Sequence, residues 1–175
     1  MRAEGPSGHD EHFMRRALAV ARRGDPSPAP RLGAVLARGP ELVSVGYQRR
    51  HDAPHAALHA LGRAGERARG ATLYLTSGLG GPAAVATLAA LAAAGVARVV
   101  VGCAAPDVRA SPGAAHRKAR ASQLSVVQLA SGELAARAEQ LVADFRKFQQ
   151  QGLPFVTLKA AVTLDGRTAA RSGES

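Results

Sequence analysis

Apolar residues along this chain follow two rhythms. Phe13, Met14, Ala17, Leu18 and Ala21 recur at helical spacing, with Asp10 placed as N-cap and Gly24 as the stop, which predicts a first helix. The run Asp25-Pro26-Ser27-Pro28-Ala29-Pro30 admits neither helix nor central strand, so a rigid loop leads to Gly33. Two short apolar runs, 34–37 and 42–47, flank Gly39-Pro40 and predict a β-hairpin. Pro54 then opens a helix that carries Leu58 and Leu61 on one face and ends near Gly70.

The remainder alternates. A strand over 71–76 is followed by a helix over 82–94, with Pro82 in its first turn and Gly95 beyond its end, and by a continuously apolar strand over 96–103. A weak basic helix over 111–121 precedes a strand over 124–129. Ser131 then caps a longer helix with Glu133 in its first turn and Leu134, Ala138, Leu141, Phe145 and Phe148 as its buried stripe. The order α, β, β, α, β, α, β, α, β, α predicts an α/β fold, a mixed five-stranded sheet covered by helices on both faces. After Gln149-Gln150-Gln151-Gly152, residues 153–162 form an apolar strand with only a polar tail behind it. A strand without neighbours exposes its edge, so the chain divides into one domain over 1–149 and, over 150–175, a linker with the opening strand of a second, incomplete domain.

Composition narrows the partners. The 175 residues are 46% apolar and 21% charged, in keeping with one globular domain. With 23 basic against 13 acidic residues the formal charge is +10, which favours anionic partners. The arginines are scattered, however, and aromatics are only 3% of the chain, so a solvated basic surface is expected rather than a stacking platform for nucleic acid. The short Arg117-Lys118-Ala119-Arg120 cluster reads the same way. No apolar run approaches the roughly 20 residues of a membrane span, and the N-terminus lacks a signal-peptide core, so a cytoplasmic protein without membrane contact is expected.

Candidate chemistry is sparse. One cysteine, Cys103, excludes an internal disulfide and any metal site needing two thiolates from this chain. At the end of a buried strand it reads as a small hydrophobe. His51, His55 and His59 are spaced by four, a geometry that can grip a divalent ion but is also met in ordinary polar packing at a helix start. Gly78-Leu79-Gly80-Gly81-Pro82 precedes a helix and could offer amides to a phosphate.

Several phrases, in order, carry a resemblance. They are Phe13-Met14-Arg15-Arg16-Ala17-Leu18, the stretch from Pro28 to Val35, Pro54-His55-Ala56-Ala57-Leu58-His59-Ala60-Leu61, Gly70-Ala71-Thr72-Leu73-Tyr74-Leu75-Thr76, Ala94-Gly95-Val96-Ala97-Arg98-Val99-Val100, and Leu158-Lys159-Ala160-Ala161-Val162-Thr163-Leu164-Asp165-Gly166-Arg167. The chain resembles the bifunctional deaminase/reductase of riboflavin biosynthesis. The resemblance implies a cytidine-deaminase-like three-layer α/β/α sandwich, followed by the first strand of an NADPH-dependent reductase-like domain. The family reaction is hydrolytic deamination of a diaminopyrimidine ribosylamine phosphate. In it a zinc ion on one His and two Cys activates water, and a Glu two residues after the His moves the proton.

Here the departures fall on the polar positions. His55 stands at the ligand position, but Ala57 stands where the Glu belongs, and Ser77-Gly78-Leu79-Gly80-Gly81-Pro82 replaces the segment carrying both Cys. Ala29 replaces an Asn between prolines, and Ala105-Pro106-Asp107-Val108 replaces Asp-Pro-Asn-Pro. The resulting expectation is a deaminase-like domain without catalytic residues and without bound metal, His55 being a vestigial ligand position. Acid/base assistance alone is worth about 10²–10⁴ in rate, and its loss together with the metal leaves little but binding. Ala29, Ala56, Ala57 and Leu79 are the expected walls of a filled pocket. Arg31, His55, Gly80 and Gly81 are the residues that could still hold a phosphorylated pyrimidine. The expected partners are a reductase domain or subunit and a second copy of the chain, with NADPH entering only if a complete reductase domain follows. Two other readings stay open: the front portion of a longer NADPH-dependent pyrimidine reductase, and a stand-alone nucleotide- or RNA-binding module.

Overall fold

The computed structural model describes residues 8–80, 83–106, 124–129 and 132–169. Helix α1 (Gly8–Ala21) is followed by strands β1 (Gly33–Arg38) and β2 (Glu41–Tyr47), helix α2 (Ala56–Ala64) and a short 3₁₀ turn (Gly65–Ala68). Strand β3 (Thr72–Ser77), helix α3 (Ala83–Ala93), and strands β4 (Arg98–Cys103) and β5 (Ser125–Gln128) come next, then helices α4 (Glu133–Leu141) and α5 (Ala143–Gln151). The helix expected over 111–121 lies outside the described residues.

The five strands lie in the order β2-β1-β3-β4-β5. β1 is antiparallel to both β2 and β3, whereas β3, β4 and β5 run parallel. The mixed sheet is therefore the expected one. The central strands β3 and β4 are buried over their last five residues, because a parallel strand with helices on both faces has no solvated side. α1 and α4 cover one face and α2 the other, with α3 against α2. Two glycines set the layer spacing. A Cβ at Gly33 would lie 2.1 Å from the Ala17 carbonyl of α1, and one at Gly46 would lie 2.3 Å from the Ala56 carbonyl of α2. Only a bare backbone permits helices this close to the sheet.

Local details depart from the sequence reading. α1 starts at Gly8, so Asp10 is not an N-cap. Its carboxylate is buried instead, accepting two hydrogen bonds from Arg98 at 3.1 Å and one from the Tyr74 hydroxyl at 2.9 Å. Pro54 does not open α2. His55 is the N-cap, with extended backbone at φ −52° and ψ 145°, and the helix ends at Ala64 where Gly65 takes φ 55°. That positive φ, which glycine adopts without a Cβ clash, stops the α-helix before Gly70.

The long terminal helix breaks at Val142, which leaves helical geometry at φ −116° and ψ 6°. Ser131 lies outside the described residues, and the N-cap of α4 is Gly132, without a side-chain cap. The break turns α5 away from the core, and Arg146 spans it in an ion pair with Glu139. The buried stripe is consequently Leu134, Ala138 and Val142, while Leu141 and Phe145 are half-buried and Phe148 is exposed. Residues 153–162 form no strand. Leu153, Phe155, Val156, Leu158 and Val162 are exposed, since strand geometry persists only on a ladder and no sheet edge is paired with them among the described residues.

Candidate functional site

In open α/β sheets ligands gather at the carboxyl ends of the parallel strands, which here are Ser77 of β3 and Cys103 of β4, register partners. The proline-rich loop is anchored to this region at several points. The Gly33 amide donates to Thr76 Oγ1 at 3.1 Å, the Asp25 amide to the Arg49 carbonyl at 3.1 Å, and the Gln48 amide to the Leu32 carbonyl at 3.2 Å. These bonds join the loop after α1, the segment leading to α2 and the end of β3.

His55 is half-buried at the start of α2, and its Nδ1 accepts from the Ala57 amide at 3.2 Å. This satisfies one of the orphan donors of the first helical turn. Burial pushes the imidazole pKa down from 6.5 to about 4, so the ring is neutral at pH 7. An accepting Nδ1 assigns the single ring proton to Nε2. Ala57 itself is fully buried, as is Ala56. His59 does not converge on His55: its Nδ1 faces the Tyr47 backbone and its ring packs edge-on against Tyr47 at 5.3 Å. His51 is exposed.

Beyond β3, the Ser77 hydroxyl donates to the carbonyls of Gly78 and Ala104, and the Gly78 amide to the Cys103 carbonyl at 2.8 Å. Leu79 is buried and Gly80 half-buried; Gly81 and Pro82 lie outside the described residues. The Cys103 thiol donates to the Thr76 carbonyl, and burial pushes its pKa up, which keeps it protonated. Arg31 is half-exposed and lies 3.6 Å from Asp25. Among the described residues no hydrogen bond or ion pair links Arg31 to His55 or Gly80, and no group of three or more His, Cys, Asp or Glu is placed to hold a metal. Away from this site, towards the amino-terminal ends of β3 and β4, Tyr74, Arg98 and Asp10 form a second polar cluster. Its one sequence signal was a basic residue opening an otherwise apolar strand.

Residues 7–103 match the family model of the cytidine and deoxycytidylate deaminase zinc-binding region, which is more than half of the chain. The chain belongs to that family. Within it the deaminase-like domain is of the RibD type of riboflavin biosynthesis. It is 41% identical over 174 residues to the riboflavin biosynthesis protein RibD of Escherichia coli, covering 95% of this chain and 45% of that protein. It is 37% identical to the RibD of Haemophilus influenzae, at 97% and 45% coverage. The solved RibD of Acinetobacter baumannii superposes with a TM-score of 0.79 at 33% identity, covering 95% of this chain and 47% of that one. A dCMP deaminase from the cyanophage S-TIM5, 14% identical with a TM-score of 0.56 over 68% of this chain and 95% of that one, shares the cytidine-deaminase-like fold alone. The RibD-type chain spans about half the length of the curated relatives it matches. Among its described residues no helix is long and apolar enough to cross a membrane.

Proposed function

We propose that this domain does not deaminate and acts as a structural module at the front of a longer riboflavin-biosynthesis protein. The observation that carries this reading is Ala57. Two residues after His55, where the family reaction needs a carboxylate to move protons, stands a fully buried methyl group whose amide is bonded to the His55 ring. The donor set does not fit the family's zinc. His55 offers one nitrogen already accepting a hydrogen bond and one carrying its proton, the Ser77 hydroxyl is engaged with carbonyls, and Cys103 is a buried, protonated thiol bonded to Thr76. Zinc sites of this class need three protein ligands with an open fourth position.

The same features favour a scaffold over a retained ligand site at Arg31, His55, Gly80 and Gly81. Arg31 faces Asp25, and Leu79, Ala56 and Ala57 fill apolar volume. We assign residues 1–149 to this module, and 150–175 to a linker and the opening of a reductase-like domain. The exposed apolar side chains of 153–164 support that assignment, because contiguous apolar surface marks a surface that another part covers. NADPH and pyrimidine reduction then belong to the reductase-like part.

The test is ammonia release from the diaminopyrimidine ribosylamine phosphate, with zinc supplied. No turnover above background is expected, and Ala57→Glu alone does not restore it. Release that scales with protein and disappears in His55→Ala overturns the reading.

A further inference from the structure

A groove of about 320 Å³ lies between α1 and α4, in the helical layer on the other side of the sheet from His55. One wall is Arg15, Leu18 and Ala19 on one face of α1, together with Arg22 in the turn directly after its last residue. The other is Arg137, Gln140 and Leu141 of α4. Leu18, Leu141 and Ala19 supply apolar surface, and three arginines line the groove with them.

Two of these arginines are held only loosely elsewhere. Arg15 pairs with Glu11 at 3.1 Å and Arg137 with Glu133 at 2.7 Å, both within one helix and about half-exposed. Such exposed i,i+4 pairs contribute little and yield readily to a stronger anion. Arg22 has no carboxylate partner among the described residues. Three planar forks around one small space suit a phosphate dianion, which can take two of them, better than a single carboxylate. The apolar surface and the flat guanidinium faces suit an aromatic ring attached to it. The volume is at the small end of clefts that take small molecules, roughly 300–1,000 Å³.

We propose that this groove is a binding site for a phosphomonoester of a heterocycle, of mononucleotide size. It is separate from the degenerate deaminase pocket and does not depend on the function proposed above.

Titration of the full chain with AMP, followed by amide NMR, tests the proposal, with adenosine, inorganic phosphate and a single-stranded oligonucleotide as parallel probes. AMP should bind saturably at about 0.1–1 mM, adenosine not at all, and phosphate several-fold more weakly than AMP. Arg22→Ala and Arg137→Ala should each weaken AMP about tenfold, the scale of one charge-assisted fork, with unchanged thermal midpoints because both side chains are exposed. Arg31→Ala should change nothing. The proposal fails if AMP does not saturate, if Arg22→Ala and Arg137→Ala leave its affinity intact, or if Arg31→Ala removes binding. It fails equally if the oligonucleotide binds this groove far more tightly than AMP, which would make the site one for a polymer backbone.

Discussion

β3 and β4 carry polar clusters towards both of their ends, and the two clusters differ in what they do. Towards the amino-terminal ends, Arg98 and Tyr74 close on the Asp10 carboxylate, which is 1% exposed, so three elements are joined by charge. At the carboxyl ends, Ser77, Cys103 and His55 are bonded to nearby backbone carbonyls and one amide. Buried charge stands where it ties α1 to the sheet. In the crevice where α/β folds place their ligands, the polar atoms that remain serve their own backbone. Bonding of this kind is what burial demands, because polar groups left without partners in a closed pocket cost stability.

The difference is open to direct attack, and the largest effect should come from Asp10→Ala. Removing the carboxylate leaves the part-buried Arg98 guanidinium without its partner and should cost about 3–5 kcal/mol, read from urea unfolding. A loss under about 1 kcal/mol would show the cluster to be no more than a surface pair and would erase the contrast.

A smaller effect tests the other end. The His55 pKa is about 4 when folded and 6.5 when unfolded, so between those values the unfolded chain binds the extra proton. Stability is then full at neutral pH, falls as pH drops below about 6.5, and levels off near pH 4. Allowing for partial exposure, the change should be on the order of 2 kcal/mol. His55→Asn, which keeps an acceptor for the Ala57 amide, should lose this slope when its pH–stability curve is set against that of the parent chain.

The smallest effect lies outside both clusters. Removing residues 153–175 takes away exposed apolar side chains and the Lys147 contact over the Phe155 ring, at 5.6 Å. Stability should change by less than about 1 kcal/mol and self-association should fall. A large drop in the denaturation midpoint would show that the tail supports the core and that the two clusters do not account for the stability by themselves.

Periodicity made the sheet legible, because strands β1 to β5 and helices α1 to α3 are each written as a local apolar rhythm. What it could not supply were features decided by residues far apart. Asp10 has the chemistry of an N-cap, and only the approach of Arg98, 88 residues away, makes it a buried ion-pair partner. The apolar stripe through Phe145 and Phe148 continues in helical register, yet the break at Val142 turns it from the core. A strand over 153–162 is equally well written, but a strand needs an edge to pair with, and local pattern does not provide one. At the candidate site, the expected departures at Ala57 and Ser77 follow from the sequence once the resemblance is granted. The hydrogen bonds that now occupy His55 and Ser77 do not, since they depend on rotamers.

The 88-residue separation of Asp10 and Arg98 also bears on kinetics. Closing about half the chain is entropically slow work, so contacts of such range are expected to consolidate after the local hairpin. An interaction absent from the folding transition state acts mainly on the rate of unfolding. The ion pair is therefore expected to bear more on how long the native state lasts than on how quickly it is reached.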